Sequence, residues 1–199
     1  MDLFSSNQLE NNLPFDGKLL NYGLVLNNTA CQKYFTKLLN ADFWKHDELI
    51  LFGKQITTKR KVAWFGDERI QYSYSKTTKT ALAWTPEILE LKRLVELKTG
   101  KKFNSCLLNL YHNGSEGMAW HSDNEKELGV NPIIASLSLG ATRKFSLKHK
   151  TTKQKIDLML QAGNLIVMEG ETQHKWLHSL PKTKKIHTSR INLTFRTII

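Results

Sequence analysis

The sequence predicts a mainly-β α+β fold, with helices packed on a β-sandwich or jelly roll. First, everything after Lys101 breaks into short strand-like stretches separated by turns, around 104–111, 133–139, 143–149, 155–160, 164–168, 174–179 and 190–197. Second, two helical patterns precede those strands, which suggests helices laid on a sheet rather than alternating with its strands. Third, the chain has 199 residues, 40% of them hydrophobic and only four prolines. With no Pro/Gly/Ser-rich linker near the middle, that is enough for one sizeable core.

Taken in order, residues 1–20 read as a loosely ordered segment and 21–199 as a single domain. A first helix runs from about Asn28 or Thr29 to Asn40, with Tyr34, Phe35, Leu38 and Leu39 as its apolar stripe. The second is better signalled. In "WTPEILELKRLVELKTGKK", Thr85 can cap, Pro86 suits the first turn, Ile88, Leu91 and Val95 repeat at helical spacing, and Gly100 can end it.

Among the strands, parity is more informative than number. In "RINLTFR", Arg190, Asn192, Thr194 and Arg196 share one face while Ile191, Leu193 and Phe195 share the other. In "CLLNLYHNG", Asn109 and Tyr111 oppose Cys106, Leu108 and Leu110. Pointing outward, the polar faces are ordinary solvated surface. Pointing into the mouth of a barrel, they aim Arg, Asn and Tyr groups at an anionic ligand. Parity alone leaves both open.

Composition narrows the function classes. The longest apolar runs, such as "PIIASLSLGA", are too short to span a bilayer. "MDLFSSNQLENN" lacks the basic and apolar regions of a signal peptide. Two cysteines, Cys31 and Cys106, make no disulfide framework and have no zinc-like spacing, so both are expected free, in a reducing interior. The charge is +11, from 29 basic against 18 acidic residues, with clusters in "TTKRK", "KTGKK", "RKFSLKHK" and "PKTKKIH". Nucleic acid is the partner such a surface attracts. Ordinary solubilising charge is the other reading, and no basic stretch coincides with an amphipathic helix that would favour a membrane surface.

The candidate chemistry lies in "MAWHSDNE", residues 118–125. On a strand, His121 and Asp123 would share a face, giving two of the three ligands of the 2-His-1-carboxylate triad of non-haem Fe(II) oxygenases. A turn holding an aspartate and a solvated histidine is the alternative. For a third ligand, His174, His178 and His187 compete, His174 and His178 having the same strand parity.

Read together, "NLYHNGSEGMAWHSDNEKELGVNPIIASLSLGATRKF" and "LIVMEGETQHKWLHSLPKTKKIHTSRINLTFRT" resemble the AlkB family of Fe(II)/2-oxoglutarate dioxygenases, in its branch that repairs alkylated nucleic acid. The H-x-D motif, the distal H-S-L-P and the R-x-N-x-T-F-R strand occur in the family's order and spacing, and the likeness runs from about Leu51 to the C-terminus. The resemblance implies a double-stranded β-helix, or jelly roll, with flanking N-terminal helices, whose open end holds the iron. It implies His121, Asp123 and His178 as ligands, because only His178 stands before "SLP" and twelve residues ahead of Arg190. It pairs Arg190 with the far carboxylate of 2-oxoglutarate, a bidentate match for a guanidinium. It lines the rest of that pocket with Arg196, Asn109, Tyr111 and Asn192.

The activity implied is oxidative demethylation of 1-methyladenine and 3-methylcytosine in DNA, with RNA a second candidate. O2 and 2-oxoglutarate are consumed, and the methyl group leaves as formaldehyde. These methylated bases are cationic, so a carboxylate near the ring favours them, and Glu125 matches that position. A solvent-exposed loop acid is its other reading. The target base must leave its stack. Tyr74 matches the stacking aromatic, with Tyr72 beside the base or Glu125, and residues of about 50–80 match a recognition lid. Within it, Trp64 and Phe65 are substrate contacts or packing, and Phe52 is nominated to probe the duplex gap. Lys182, Lys184 and Lys185 would touch phosphates. One departure is Asn124, where close relatives often carry a second acid. A same-fold oxygenase acting on a protein or small molecule, or a silent nucleic-acid binding module, are the competing functions. A monomer with no membrane partner is expected, in a bacterial cytoplasm or a eukaryotic nucleus.

Overall fold

The computed structural model describes residues 9–51, 54–67, 71–74 and 77–199. Seven antiparallel strands form the larger sheet, in the order β1 (Lys18–Leu24), β11 (Asn164–Glu169), β8 (Ile134–Gly140), β13 (Arg190–Arg196), β6 (Ser105–Tyr111), β3 (Lys54–Gly66) and β2 (Lys45–Leu51). Four form the smaller, β10 (Lys155–Leu160), β9 (Arg143–His149), β12 (Trp176–Leu180) and β7 (Met118–His121). A separate hairpin pairs β4 (Gln71–Tyr74) with β5 (Thr77–Thr80). Strands distant in sequence sit side by side, as a jelly roll requires.

Each face of the larger sheet has its own partner. The outer face carries Leu108, Leu110, Leu137, Leu139, Ile191, Leu193 and Phe195, all buried against α1 (Asn28–Leu39) and α2 (Pro86–Thr99). The helices begin and end as their sequence dictates. The Asn27 side chain accepts from the Ala30 amide, Thr85 Oγ1 accepts from the Ile88 amide, and Gly100 closes α2 at φ 68°. The inner face is apolar at one end, where Ile134, Ile166 and Met168 meet Phe145, Leu147, Leu160 and Trp176 of the smaller sheet. At the other end it is polar.

Three expectations need correction. The part of the chain before Lys101, where only two helical patterns are read, also holds β1 through β5. β2 is an edge strand rich in charge, as edge strands are, and its Lys45, His46, Asp47 and Glu48 hide the apolar alternation. Residues 9–20 are not loose. Asn11 Oδ1 accepts from the Leu13 and Leu19 amides, both leucines are buried, and Phe15 packs against Trp176. Finally, the strand expected over 174–179 starts two residues later, because Thr172–Lys175 forms one helical turn, α3. Both cysteines are free and buried. Among the described residues no helix is long and apolar enough to cross a membrane.

Candidate metal centre and cosubstrate pocket

His178 sits on β12 directly opposite His121 at the end of β7, so the antiparallel register turns both imidazoles to the inner face. Their ring centroids are 4.2 Å apart. His121 Nδ1 lies 2.8 Å from the Ala119 carbonyl, to which it can donate, leaving the Nε2 lone pair free for a metal. Asp123 comes from the loop beyond β7, not from the strand, so its convergence with His121 does not follow from strand parity. Its backbone amide donates to Gln173 Oε1 at 2.9 Å, and Gln173 is buried on α3. Lys150 ties the same loop down by donating to Ser122 Oγ and the Gln173 carbonyl.

Asp123 Oδ1 lies 3.7 Å from His121 Nε2 and 4.0 Å from His178 Nε2, and one donor atom from each residue falls within 4.8 Å of the others. Burial pushes the His178 pKa down to about 4, against the attraction of Asp123, so the ring is neutral at physiological pH. For Asp123, burial works against ionisation but Arg196, His178 and His121 outweigh it, and the pKa lies below the usual value. Arg196 Nη2 is 3.1 Å from Asp123 Oδ2. The neutral ring of His178, the Nε2 that His121 turns toward the cluster and the Asp123 carboxylate together offer three ligand atoms, which fits a divalent ion of the non-haem iron type.

Beside this centre the polar face of the larger sheet is buried between the sheets, which answers the question parity left open. Arg190 lies opposite Tyr111, and Asn192 stands between Asn109 and Ser138. Arg190 is only 2% exposed. Its Nη2 donates to Ser138 Oγ at 2.9 Å and Asn192 Oδ1 at 2.6 Å, while Asn192 donates to Thr194 Oγ1. Burial lowers its pKa to about 10, with nearby Arg143 adding to the effect and Tyr111 opposing it. Among the described residues it forms no ion pair, and its Nε has no partner. Arg196 Nε and Asn109 Oδ1 are likewise buried and unpartnered. A buried cation with a spare donor is costly unless an anion arrives.

Two buried residues here escaped sequence reasoning. Gln173 had no signal, since its partner is 50 positions away. Arg143 had one, because β9 parity puts Arg143, Phe145, Leu147 and His149 on one face. Arg143 donates to the carbonyls of Asn113, Glu116 and Pro181, joining the segment before β7 to the loop after β12. Its guanidinium carbon and that of Arg190 each lie 5.8 Å from the Tyr111 ring centroid.

The remaining candidates scatter. Glu125 is half-buried at the start of a 3-10 turn, and its Oε2 is buried without a partner, unlike a solvated loop acid. Trp64 donates to Ser105 Oγ at 2.7 Å, whereas Phe65 is buried core, 4.9 Å from Phe43. Lys182, Lys184 and Lys185 are exposed in the loop between β12 and β13. His174 lies on α3, not on a strand, and His187 is exposed, and neither joins the cluster. Phe52 lies outside the described residues, as do the side chains of Tyr72 and Tyr74 on β4.

A jelly roll with a His-Asp-His cluster at one end and a buried, anion-seeking arginine beside it defines a non-haem iron oxygenase. The chain belongs to the 2OG-Fe(II) oxygenase superfamily, whose family model matches residues 19–196. Members of that family use Fe(II), 2-oxoglutarate and O2. The chain is 44% identical over 173 residues to the bovine (Bos taurus) alpha-ketoglutarate-dependent dioxygenase alkB homolog 3, covering 82% of this chain and 60% of that protein. It is 42% identical over 148 residues to the human protein of that name, covering 70% and 51%. It is 38% identical over 157 residues to bovine DNA oxidative demethylase ALKBH2, covering 75% and 56%. The chain thus spans about half to three fifths of the length of these relatives. Among solved structures, "The structure of OsALKBH1" aligns with a TM-score of 0.63 at 14% identity, over 93% of this chain and 99% of that one. A prolyl hydroxylase from Trichoplax adhaerens aligns with a TM-score of 0.63 at 13% identity, over 90% and 83%. These two likenesses show the fold.

Proposed function

We propose that the chain removes methyl groups oxidatively from 1-methyladenine and 3-methylcytosine in DNA, with RNA as a further substrate. The single observation that carries this reading is the convergence of His121, Asp123 and His178 in a chain 38% identical to a DNA oxidative demethylase. In it, residues 21–199, with the packed stretch 9–20 that completes their sheet and core, act as one dioxygenase unit with a recognition lid at about 50–80, working as an intracellular monomer.

Each residue then has a role. His121, Asp123 and His178 hold the metal. When bound, ferrous iron with 2-oxoglutarate and O2 supplies the oxidising power for hydroxylating an N-methyl carbon. Arg190 grips the far carboxylate of 2-oxoglutarate through the donor it leaves spare, and Tyr111, Asn109 and Asn192 complete the cradle. Arg196 fixes one oxygen of Asp123, so that the other faces the two imidazoles. Hydroxylation leaves a hemiaminal on the base, which collapses to formaldehyde and the restored nitrogen.

Selection belongs to the protein. Glu125 presents a desolvated carboxylate oxygen to a methylated, cationic base, an attraction that a neutral base lacks. Tyr74, Tyr72 and Trp64 would clamp the flipped base, and Phe52 would enter the gap it leaves. Lys182, Lys184 and Lys185 would hold phosphates. The test is mass spectrometry of a methylated oligonucleotide incubated with Fe(II), ascorbate and 2-oxoglutarate. The expected outcome is loss of a methyl mass. Succinate without that loss would move the substrate elsewhere.

A further inference from the structure

The smaller sheet has an inner face that builds the metal centre and an outer face with no assigned task. Parity places Trp120, Lys144, Ser146, Lys148, Lys155 and Asp157 on the outside, because their neighbours His121, Phe145, Leu147 and Ile156 point inward. A shallow groove of about 490 Å³ runs across it, with Pro181 and Lys182 at one end.

Two features set this face apart from an ordinary solvated one. Lys148 and Lys155 are direct cross-strand partners, and like charges directly opposite destabilise a sheet. Asp157 on this face is taken by Lys144 at 3.1 Å and by Ser146 Oγ, with Lys155 a weaker electrostatic neighbour, and among the described residues neither Lys148 nor Lys155 forms an ion pair. The second feature is Trp120, exposed at 36% on the edge strand β7, with Lys148 Nζ 4.5 Å from its ring centroid. An exposed flat ring with one ammonium group against it and a second cation along the same groove suits a base to stack and phosphates to pair. Because the bases of a duplex are already stacked on one another, the complementary ligand is a single strand.

We infer that the outer face of the four-stranded sheet binds single-stranded nucleic acid, with a base stacked on Trp120 and phosphates on Lys148 and Lys155. The inference rests on nucleic acid being the substrate and says where the strand runs on leaving the metal centre. Trp120 precedes His121 on an edge strand, so a chain leaving the metal centre rounds a single strand to reach it. Lys182 then marks the passage between the loop after β12 and this face.

The experiment measures fluorescence anisotropy of an unmodified oligothymidylate across a salt series, so it needs no turnover. Trp120→Ala should weaken binding about tenfold, the loss of one base stack. Lys148→Gln with Lys155→Gln should lower the log–log salt slope by about 1.4, roughly 0.7 per single-strand phosphate contact. The Lys148→Gln/Lys155→Gln variant should demethylate a trinucleotide at the parent's rate and lose kcat/KM only on longer strands. Equal losses on short and long substrates would overturn the inference, because the effect would then be local to the metal centre. So would an unchanged salt slope, or polyglutamate binding as tightly as the oligonucleotide. If no methylated base is demethylated, the functional reading fails while the anisotropy still decides this surface.

Discussion

The two faces of strand β13 are built to different standards. Outward, Ile191, Leu193 and Phe195 are fully buried in the apolar cluster shared with α1 and α2, so that side is complete as it stands. Inward, Arg190, Asn192 and Thr194 are also buried, yet Arg190 Nε has no partner, nor do Asn109 Oδ1 and Arg196 Nε nearby. Apolar burial stabilises in proportion to area and asks for nothing further. Polar burial stabilises only when every donor and acceptor is matched. The difference separates scaffold from site along a single seven-residue strand, and points to ligands as the missing partners.

The largest effect should come from the inner side of the smaller sheet. His178→Ala should abolish turnover and the weak visible band that Fe(II) and 2-oxoglutarate give under anaerobic titration, with the fold retained. A surviving band would place the metal elsewhere. On the helix-facing side of β13 in the larger sheet, Phe195→Ala should cost about 3–5 kcal/mol in denaturant unfolding, through lost burial and the cavity left behind. It should leave the cosubstrate requirement unchanged in whatever fraction remains folded.

Arg190→Ala sharpens the comparison by inverting those readouts. The parent should gain about 2.7 kcal/mol of stability from 2-oxoglutarate at a hundred times its Kd, with a metal present, and the variant should gain almost none at that concentration. An equal gain in both would remove Arg190 from the pocket. Gln173→Ala should loosen the loop that carries Asp123 and weaken metal affinity about 10–100-fold, read by Fe(II) titration. The smallest effect belongs to the exposed loop. Replacing Lys184 and Lys185 with Gln should reduce oligonucleotide affinity and flatten its salt dependence by about 0.7 per charge on single strands.

What the sequence revealed follows from whether a residue's partner lies within reach of a local pattern. The parity of "RINLTFR" separated core from pocket, and the caps of α2 were legible at Thr85, Pro86 and Gly100. The H-x-D spacing was legible too, although Asp123 reaches the cluster through a loop held by Gln173, not by strand alternation. Parity could not say which way the polar face turned, because that depends on the smaller sheet packing above it. The hairpin of β2 and β3 was hidden by its own charges, and Leu13 and Leu19 were overlooked because the turn joining them rests on the side chain of Asn11.

The central claim is that the unmatched inner face is completed by one metal ion and one dicarboxylate. Crystals grown anaerobically with Mn(II), a redox-quiet stand-in for Fe(II), and 2-oxoglutarate test it most directly through anomalous scattering. The account predicts one peak within bonding distance of His121 Nε2, Asp123 Oδ1 and His178 Nε2, with a carboxylate against Arg190. A peak bonded to other residues, or a cosubstrate whose carboxylates both avoid Arg190, would contradict it.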